Sequence, residues 1–252
     1  MSEIDYTVLC EGIEGNILRD EPMSRHTMYK IGGPADLFIA PADRGSLAAI
    51  LRRCTDGSIP VYVVGGGANL LVHDEGIRGV VVHLGGLKRA EWRDDDGQLS
   101  LHVEAGAVLA PLVAEAERRG WSGLESLAGI PGSVGGALVM NAGTKAGSIS
   151  DVVREIEIMS LDGRETRTIS RDEAGYGYRR SSLSDVAVIA AVLDMKKGVP
   201  EEVKAATNVV RGYRKGQPVG VPCAGSVFKN PPGDFAGRLI EAAGLKGQRL
   251  GG

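Results

Sequence analysis

Two glycine-rich runs give this chain its clearest means of doing chemistry with its backbone. The first is Val63-Val64-Gly65-Gly66-Gly67-Ala68-Asn69-Leu70-Leu71. It follows an apolar stretch, and a glycine-rich turn after a strand can aim several backbone N–H groups at a phosphate. A Rossmann fingerprint is absent, because its third glycine would fall where Leu70 stands. A P-loop is absent too, since no Gly-Lys-Ser/Thr follows. A tight turn closing a buried strand is the other reading of this run. The second run is Gly129-Ile130-Pro131-Gly132-Ser133-Val134-Gly135-Gly136-Ala137, with Asn141-Ala142-Gly143 close behind. Its glycines and the Ser133 hydroxyl suit a pyrophosphate wrapped by backbone amides. A helix starting near Val134 would add its positive end. Close packing of a loop on a sheet would ask for the same glycines. Two such loops in one chain favour a dinucleotide-type ligand.

Two further segments carry reactive groups. Tyr176-Gly177-Tyr178-Arg179-Arg180-Ser181 reads, on its own, as a solvated basic turn. In Ala224-Gly225-Ser226-Val227-Phe228-Lys229-Asn230-Pro231, a serine beside Lys229 and Asn230 could serve proton transfer or anion binding. The Gly-x-Ser-x-Gly frame of a nucleophile elbow is missing. Cys223 has no histidine near it in sequence and reads as a buried, inert thiol. With Cys10 and Cys54 it forms no Cys-x-x-Cys pair, so reduced thiols are expected. His26, His73, His83 and His102 show no metal-ligand spacing, and no metal site is expected.

The elements that must position these groups mix hairpins with short βα units. Apolar strands are expected over 35–40, 59–64, 80–84 and 186–195. Hairpins are expected around Asp95-Asp96-Gly97, joining 89–93 to 99–104, and around Asp162-Gly163, joining 152–160 to 165–169. Apolar residues at helical spacing predict helices over 43–53 and 108–119. Pro200 with Glu201 and Glu202 opens another, to about Tyr213, and 234–243 is a last one ended by Gly244. Ser170 with Glu173 is a capping-box pair and predicts a short helix there. The fold class is α+β. A polar junction at Lys196-Lys197-Gly198-Val199-Pro200 is the expected domain boundary.

Composition bounds the rest. Glycine takes 37 of 252 positions, about twice its usual ~7% share, as expected where backbone bends sharply or meets a ligand. A net charge of −3 offers no electrostatic reason to bind nucleic acid or an anionic membrane. The acidic N-terminus lacks the apolar core of a secretion signal, and no run of apolar residues is long enough for a membrane span. A cytoplasmic monomer is expected.

The four segments, in this order, resemble the UDP-N-acetylenolpyruvoylglucosamine reductase family. Thr27-x-x-x-Ile31-Gly32-Gly33-Pro34-Ala35 is similar to the start of its FAD domain, and the two glycine runs resemble its two flavin loops. Tyr178-Arg179-Arg180-Ser181 resembles its Tyr-Arg-x-Ser motif, and 224–231 the segment bearing its catalytic serine. The resemblance covers about residue 25 to the end. It implies the FAD-binding fold of the vanillyl-alcohol-oxidase type, in which two α+β subdomains clasp FAD and a further domain helps hold a UDP-sugar. It implies 1–26 as an N-terminal segment, 27–197 as the FAD-binding domain and 198–252 as a partial substrate domain. It also implies that a hydride passes from NADPH, by way of FAD, to C3 of an enolpyruvyl ether while a proton reaches C2, giving UDP-N-acetylmuramate for peptidoglycan.

By match, Arg179 stabilises the developing negative charge and Ser226 protonates C2. Tyr178, Lys229 and Asn230 fall to the substrate. FAD falls to Gly65, Gly66, Gly67, Ala68, Asn69 and Leu70, and to Gly129, Ile130, Pro131, Gly132, Ser133, Gly135, Gly136, Asn141, Ala142 and Gly143. The short interval from Arg179 to Ser226 matches the family's shorter class. Ala68 departs from the family's usual Ser or Thr, so one hydroxyl contact to FAD phosphate is expected to be missing. The family continues past the stretch resembling 239–252, to a glutamate that assists protonation. A chain ending at Leu250-Gly251-Gly252 is expected to turn over substrate poorly. Two other readings remain: another flavin oxidase or dehydrogenase on this fold, and a non-catalytic FAD-binding fragment. The Ser226 segment, and the lack of histidine in either glycine loop for covalent flavin attachment, speak against an oxidase.

Overall fold

The computed structural model describes residues 6–213 and 221–249. After a short helix α1 (Tyr6–Cys10), the first sheet is built from β1 (Gly15–Pro22), β2 (Pro34–Pro41), β3 (Val61–Val64) and β4 (Ile77–His83), with α2 (Arg44–Asp56) between β2 and β3. Its strand order is β1-β2-β4-β3, β1 antiparallel to β2 and the other pairings parallel. Both faces are covered, and the side-chain alternation shows it. Leu37, Ile39, Val80 and Val82 enter the main core with Leu47, Ile50 and Leu51 of α2, while Phe38 and Val81 enter a smaller cluster with Met23 and Val72. Asp43 caps α2 by accepting from Ser46 N at 2.8 Å.

The second sheet begins with β5 (Ala90–Asp95) and β6 (Gln98–Glu104). Asp96 and Gly97 turn between them at φ +52° and +91°, as a tight hairpin requires. Next come α3 (Leu109–Arg119), β7 (Trp121–Ser122), α4 (Val134–Met140) and the small hairpin β8 (Gly143–Thr144) and β9 (Gly147–Ser148). Strands β10 (Val153–Ser160), β11 (Thr166–Ser170) and β12 (Val186–Lys197) complete an antiparallel sheet ordered β11-β10-β12-β6-β5, with β7 on the end of β12. Long and apolar, β12 is the central strand between β10 and β6. The α+β class expected from the sequence is present.

Helix α5 (Pro200–Gly212) buries Val203, Thr207 and Val210 and ion-pairs Arg211 with Glu117 of α3 at 2.6 Å. It therefore packs on the preceding body. Helix α6 (Ala236–Ala242) follows within the expected 234–243 and has no buried residue.

Three local expectations need correction. The Ser170–Glu173 pair makes its reciprocal bonds, Ser170 N donating to Glu173 Oε2 at 2.8 Å and Glu173 N to Ser170 Oγ at 3.4 Å, yet 171–175 is a turn rather than a helix. Gly175 at φ +56° reverses the chain after one turn, and one turn is too short to stand as a helix. The expected strand over 59–64 begins only at Val61, following Pro60, which has no N–H to give a ladder. Strand β1, inside the segment expected to lie apart from the FAD-binding domain, pairs with β2 from Gly15 opposite Pro41 to Pro22 opposite Pro34.

Cys54 is fully buried, and burial pushes its thiol up to about 12. A thiol-reactive dye at pH 8 is expected to leave Cys54 unlabelled in the native protein and to label it after denaturation. Labelling in the native state, read by peptide mass spectrometry, would contradict this packing.

Candidate cofactor and active site

The two glycine runs, far apart in sequence, lie against each other. Strand β3 delivers the first, and the turn before α4 delivers the second. A Cβ on Gly66 would stand 3.0 Å from Gly132 Cα, one on Gly65 would stand 2.4 Å from Ser133 Oγ, and one on Gly132 would stand 3.4 Å from Ala68 Cβ. Side chains at Gly65 and Gly66 would thus push the loops apart. Ser133 is buried, and its Oγ accepts from Gly136 N at 3.5 Å, the N-cap position of α4. Val134 N and Gly135 N are already spent on Ala107 and Ala105 carbonyls. The amides of Gly66, Gly67, Ala68 and Gly132 donate to no acceptor among the described residues. Four unspent amides in one glycine-lined seam are what a pyrophosphate needs, so FAD fits the residues present.

Residues 26–28, which no reading of the sequence singled out beyond Thr27, lock the first loop. Met28 N donates to Gly67 O at 3.1 Å, and a Cβ on Gly67, at φ +64°, would stand 1.9 Å from His26 O. His26 is fixed in turn by Glu21, with Nε2 2.9 Å from Oε1, and stacks on Phe38 at 3.9 Å. Beyond Phe38, burial and then the neighbouring His26 lower the pKa of His83, whose Nδ1 accepts from Gly85 N at 3.2 Å. Nothing in the polar sequence of β1 signalled that Glu21 would be buried. Gly67→Ala is expected to weaken FAD binding by about tenfold or more, because a left-handed alanine costs ~1–2 kcal/mol before any clash is counted. Flavin titration checks this, and an unchanged affinity would show that the loop does not depend on this backbone contact.

The Tyr-Arg-Arg-Ser turn docks on the far end of the second loop. Arg179 sits at φ +55° and is half-buried, and its guanidinium donates from Nη1 to Asn141 O at 3.2 Å and from Nη2 to Gly143 O at 2.6 Å. It lies 5.3 Å from the Tyr178 ring. Ser181 Oγ donates to Val139 O at 2.7 Å. Arg179 and Ser181 thus tie this turn to 139–143, while Tyr178 and Arg180 stay exposed. Burial raises the pKa of the neighbouring Tyr176 phenol.

Ser226, Lys229 and Asn230 stand apart. All three are exposed, and the hydrogen bonds and ion pairs of 221–249 stay within that segment among the described residues. Asn230 Oδ1 accepts from Ala236 N at 3.0 Å, at the start of α6. The segment approaches the body where Lys145 Nζ lies 5.8 Å from the Phe235 ring. Cys223 is half-buried rather than buried, because this part of the chain has little packed around it. His, Cys, Asp and Glu form no metal-binding cluster among the described residues.

A concavity of about 560 Å³ lies away from the glycine loops, on the outer face of the second sheet. Two ion pairs lie in it, Arg44 with Glu157 at 2.7 Å and Arg93 with Glu91 at 2.7 Å.

Comparison with known proteins identifies the family. Residues 35–169 match a family model described as FAD binding domain, and 217–252 match one described as UDP-N-acetylenolpyruvoylglucosamine reductase, C-terminal domain. A UDP-N-acetylenolpyruvoylglucosamine reductase of Anaeromyxobacter sp. (strain Fw109-5) is 45% identical over 242 residues, covering 95% of this chain and 74% of that protein. The crystal structure of UDP-N-acetylenolpyruvylglucosamine reductase from Thermus caldophilus superposes with a TM-score of 0.80 at 38% identity, over 95% of this chain and 83% of that one. A solvent-stable cholesterol oxidase, at 15% identity, a TM-score of 0.55 and coverage of 73% of this chain and 38% of its own, shares the fold alone. The chain belongs to the UDP-N-acetylenolpyruvoylglucosamine reductase family, FAD-dependent oxidoreductases of the vanillyl-alcohol-oxidase fold type.

Proposed function

We propose that the residues of this chain divide the family's reaction, reduction of UDP-N-acetylglucosamine enolpyruvate by NADPH in peptidoglycan precursor synthesis, among three places. The seam between 65–70 and 129–136 holds the pyrophosphate of FAD on its unspent amides, with Ala142 and Gly143 closing its far end. FAD, when bound, carries the hydride between NADPH and the enolpyruvyl double bond. Arg179 holds the negative charge that develops on the substrate as C3 takes that hydride. Ser226 gives C2 its proton, and Tyr178, Lys229 and Asn230 orient the UDP-sugar. Strand β1 and residues 27–197 together form the FAD-binding unit, and 198–252 belong to the substrate domain. We also infer a cytoplasmic monomer. The three cysteines are free thiols, and no described helix is long and apolar enough to cross a membrane.

The observation that carries this reading is the anchoring of Arg179 on the carbonyls of Asn141 and Gly143, at the end of the second glycine loop. A guanidinium has five N–H donors in a rigid fork. Two are used on the carbonyls, so the rest can face an anion without the side chain leaving its seat. The charge is thus fixed relative to the flavin seam before substrate arrives, the condition for stabilising a transition state without reorganisation. An ammonium cannot bridge both carbonyls and still present a fork. Arg179→Lys is expected to leave flavin reduction by NADPH nearly intact and to slow flavin reoxidation by the enolpyruvyl substrate by about 10²-fold. Stopped-flow absorbance of each half-reaction reads this. Equal slowing of both would reject the role.

A further inference from the structure

We propose that Asn141 is a positioning residue that sets the guanidinium of Arg179 against the flavin seam, and that its carboxamide does not serve as a ligand of the cofactor. The inference rests on Arg179 acting as described above. Asn141 caps the end of α4 at φ +43°, ψ +57°, a left-handed conformation that asparagine tolerates better than most residues, and it is 7% exposed. Its carboxamide faces inward on two partners. Nδ2 donates to Gly177 O at 2.9 Å, and Oδ1 accepts from Ser150 N at 3.4 Å.

Gly177 forms the stem of the turn that carries Arg179. Gly177 N donates to Arg180 O at 3.0 Å, and Arg180 N donates back to Gly177 O at 3.3 Å. The same asparagine therefore holds the stem of this turn with its side chain and the tip with its main-chain oxygen, which receives Arg179 Nη1. Ser150, its other partner, is buried, and Ser150 O accepts from Arg171 Nε at 2.6 Å. The bracket is thus fixed at its back. Ser181 ties the turn to Val139 independently, so deleting the carboxamide leaves the turn attached but free to shift. A shift of about 1 Å in a group that meets the transition state can cost ~10²-fold.

Asn141→Gly keeps the left-handed backbone and the carbonyl that receives Arg179, and removes only the bracket. The variant should retain FAD with affinity unchanged within about twofold and be reduced by NADPH at the normal rate. Reoxidation of its flavin by UDP-N-acetylglucosamine enolpyruvate should be slowed about 10- to 100-fold. In an Arg179→Lys background, Asn141→Gly should add little further slowing, because the two changes act through one group. Asn141→Asp gives a second route. It keeps the size and the acceptor toward Ser150 but turns the donor facing Gly177 O into an acceptor, and it should show the same selective slowing.

Loss of FAD in both Asn141 variants would overturn the inference in favour of a cofactor ligand, and loss of the fold in both would overturn it in favour of a merely structural role. Full, independent slowing by Asn141→Gly in the Arg179→Lys background would overturn it as well. Normal reoxidation in both Asn141 variants, with Arg179→Lys slow, would reject the positioning role while leaving Arg179 in place. Normal reoxidation in Arg179→Lys itself would instead remove the reading on which the inference stands.

Discussion

Gly132→Asp is expected to give a folded, colourless protein. Wild-type protein should be yellow, with one non-covalent FAD per chain that denaturation releases and mass spectrometry identifies. At Gly132, φ is +113°, a conformation that side-chain-bearing residues rarely adopt, and a Cβ would lie 3.4 Å from Ala68 Cβ in the seam between the loops. An aspartate there puts a charge into the seam that the unspent amides of Gly66, Gly67, Ala68 and Gly132 line. It would take those donors itself and repel a pyrophosphate. Gly132→Ala separates the two causes, since it keeps the backbone strain without the charge and should weaken binding less. Gly66→Asp should act similarly, since its Cβ would meet Gly132 Cα at 3.0 Å. Flavin content by absorbance, with circular dichroism as the control for folding, is the measurement. Normal flavin in Gly132→Asp would show that the loop closes the fold and binds nothing.

Ser226→Ala is expected to leave reduction of the flavin by NADPH unchanged and to slow product formation by ~10²–10⁴-fold, the usual worth of one general acid. The separation follows from the chemistry, because only the step at C2 consumes a proton from the protein. It also follows from position. Ser226 is exposed in a segment whose hydrogen bonds are its own, so truncating its hydroxyl disturbs neither the glycine seam nor the Arg179 turn. Rapid-mixing measurements of each half-reaction test this. Equal slowing of both, or of neither, would remove Ser226 from the protonation step.

Much of this was legible in the residues, for reasons that can be stated. Glycine strings such as Gly129 to Gly136 are local and chemically narrow, so the two loops stood out and the family resemblance was specific. Periodic apolar residues marked α2, α3 and the buried strands, where burial and period coincide. The capping pair at Ser170 and Glu173 made its bonds yet no helix, because Gly175 ended the segment sooner than a cap can compensate. Strand β1 went unread because it is a polar edge strand, fixed by its ladder to β2 rather than by alternation of its own side chains.

The site was less legible, since its decisive features are tertiary. No local signal shows that Gly66 will face Gly132, or that His26 O will sit where a Gly67 side chain would go. Nor does any show that a basic turn will place its arginine on the carbonyls of a glycine loop 36 residues away. Asn141 was singled out as part of the glycine run, whereas its carboxamide spends its recorded bonds on Gly177 and Ser150.

The central claim, that this chain carries electrons from NADPH through FAD to the enolpyruvyl ether of a UDP-sugar, is tested most directly by one anaerobic experiment. FAD-loaded protein is reduced with one equivalent of NADPH until its visible absorbance is lost, and UDP-N-acetylglucosamine enolpyruvate is then added. The account predicts that the oxidised flavin spectrum returns and that one UDP-N-acetylmuramate forms per flavin. A spectrum that stays bleached, with the enolpyruvyl compound recovered unchanged, would contradict it.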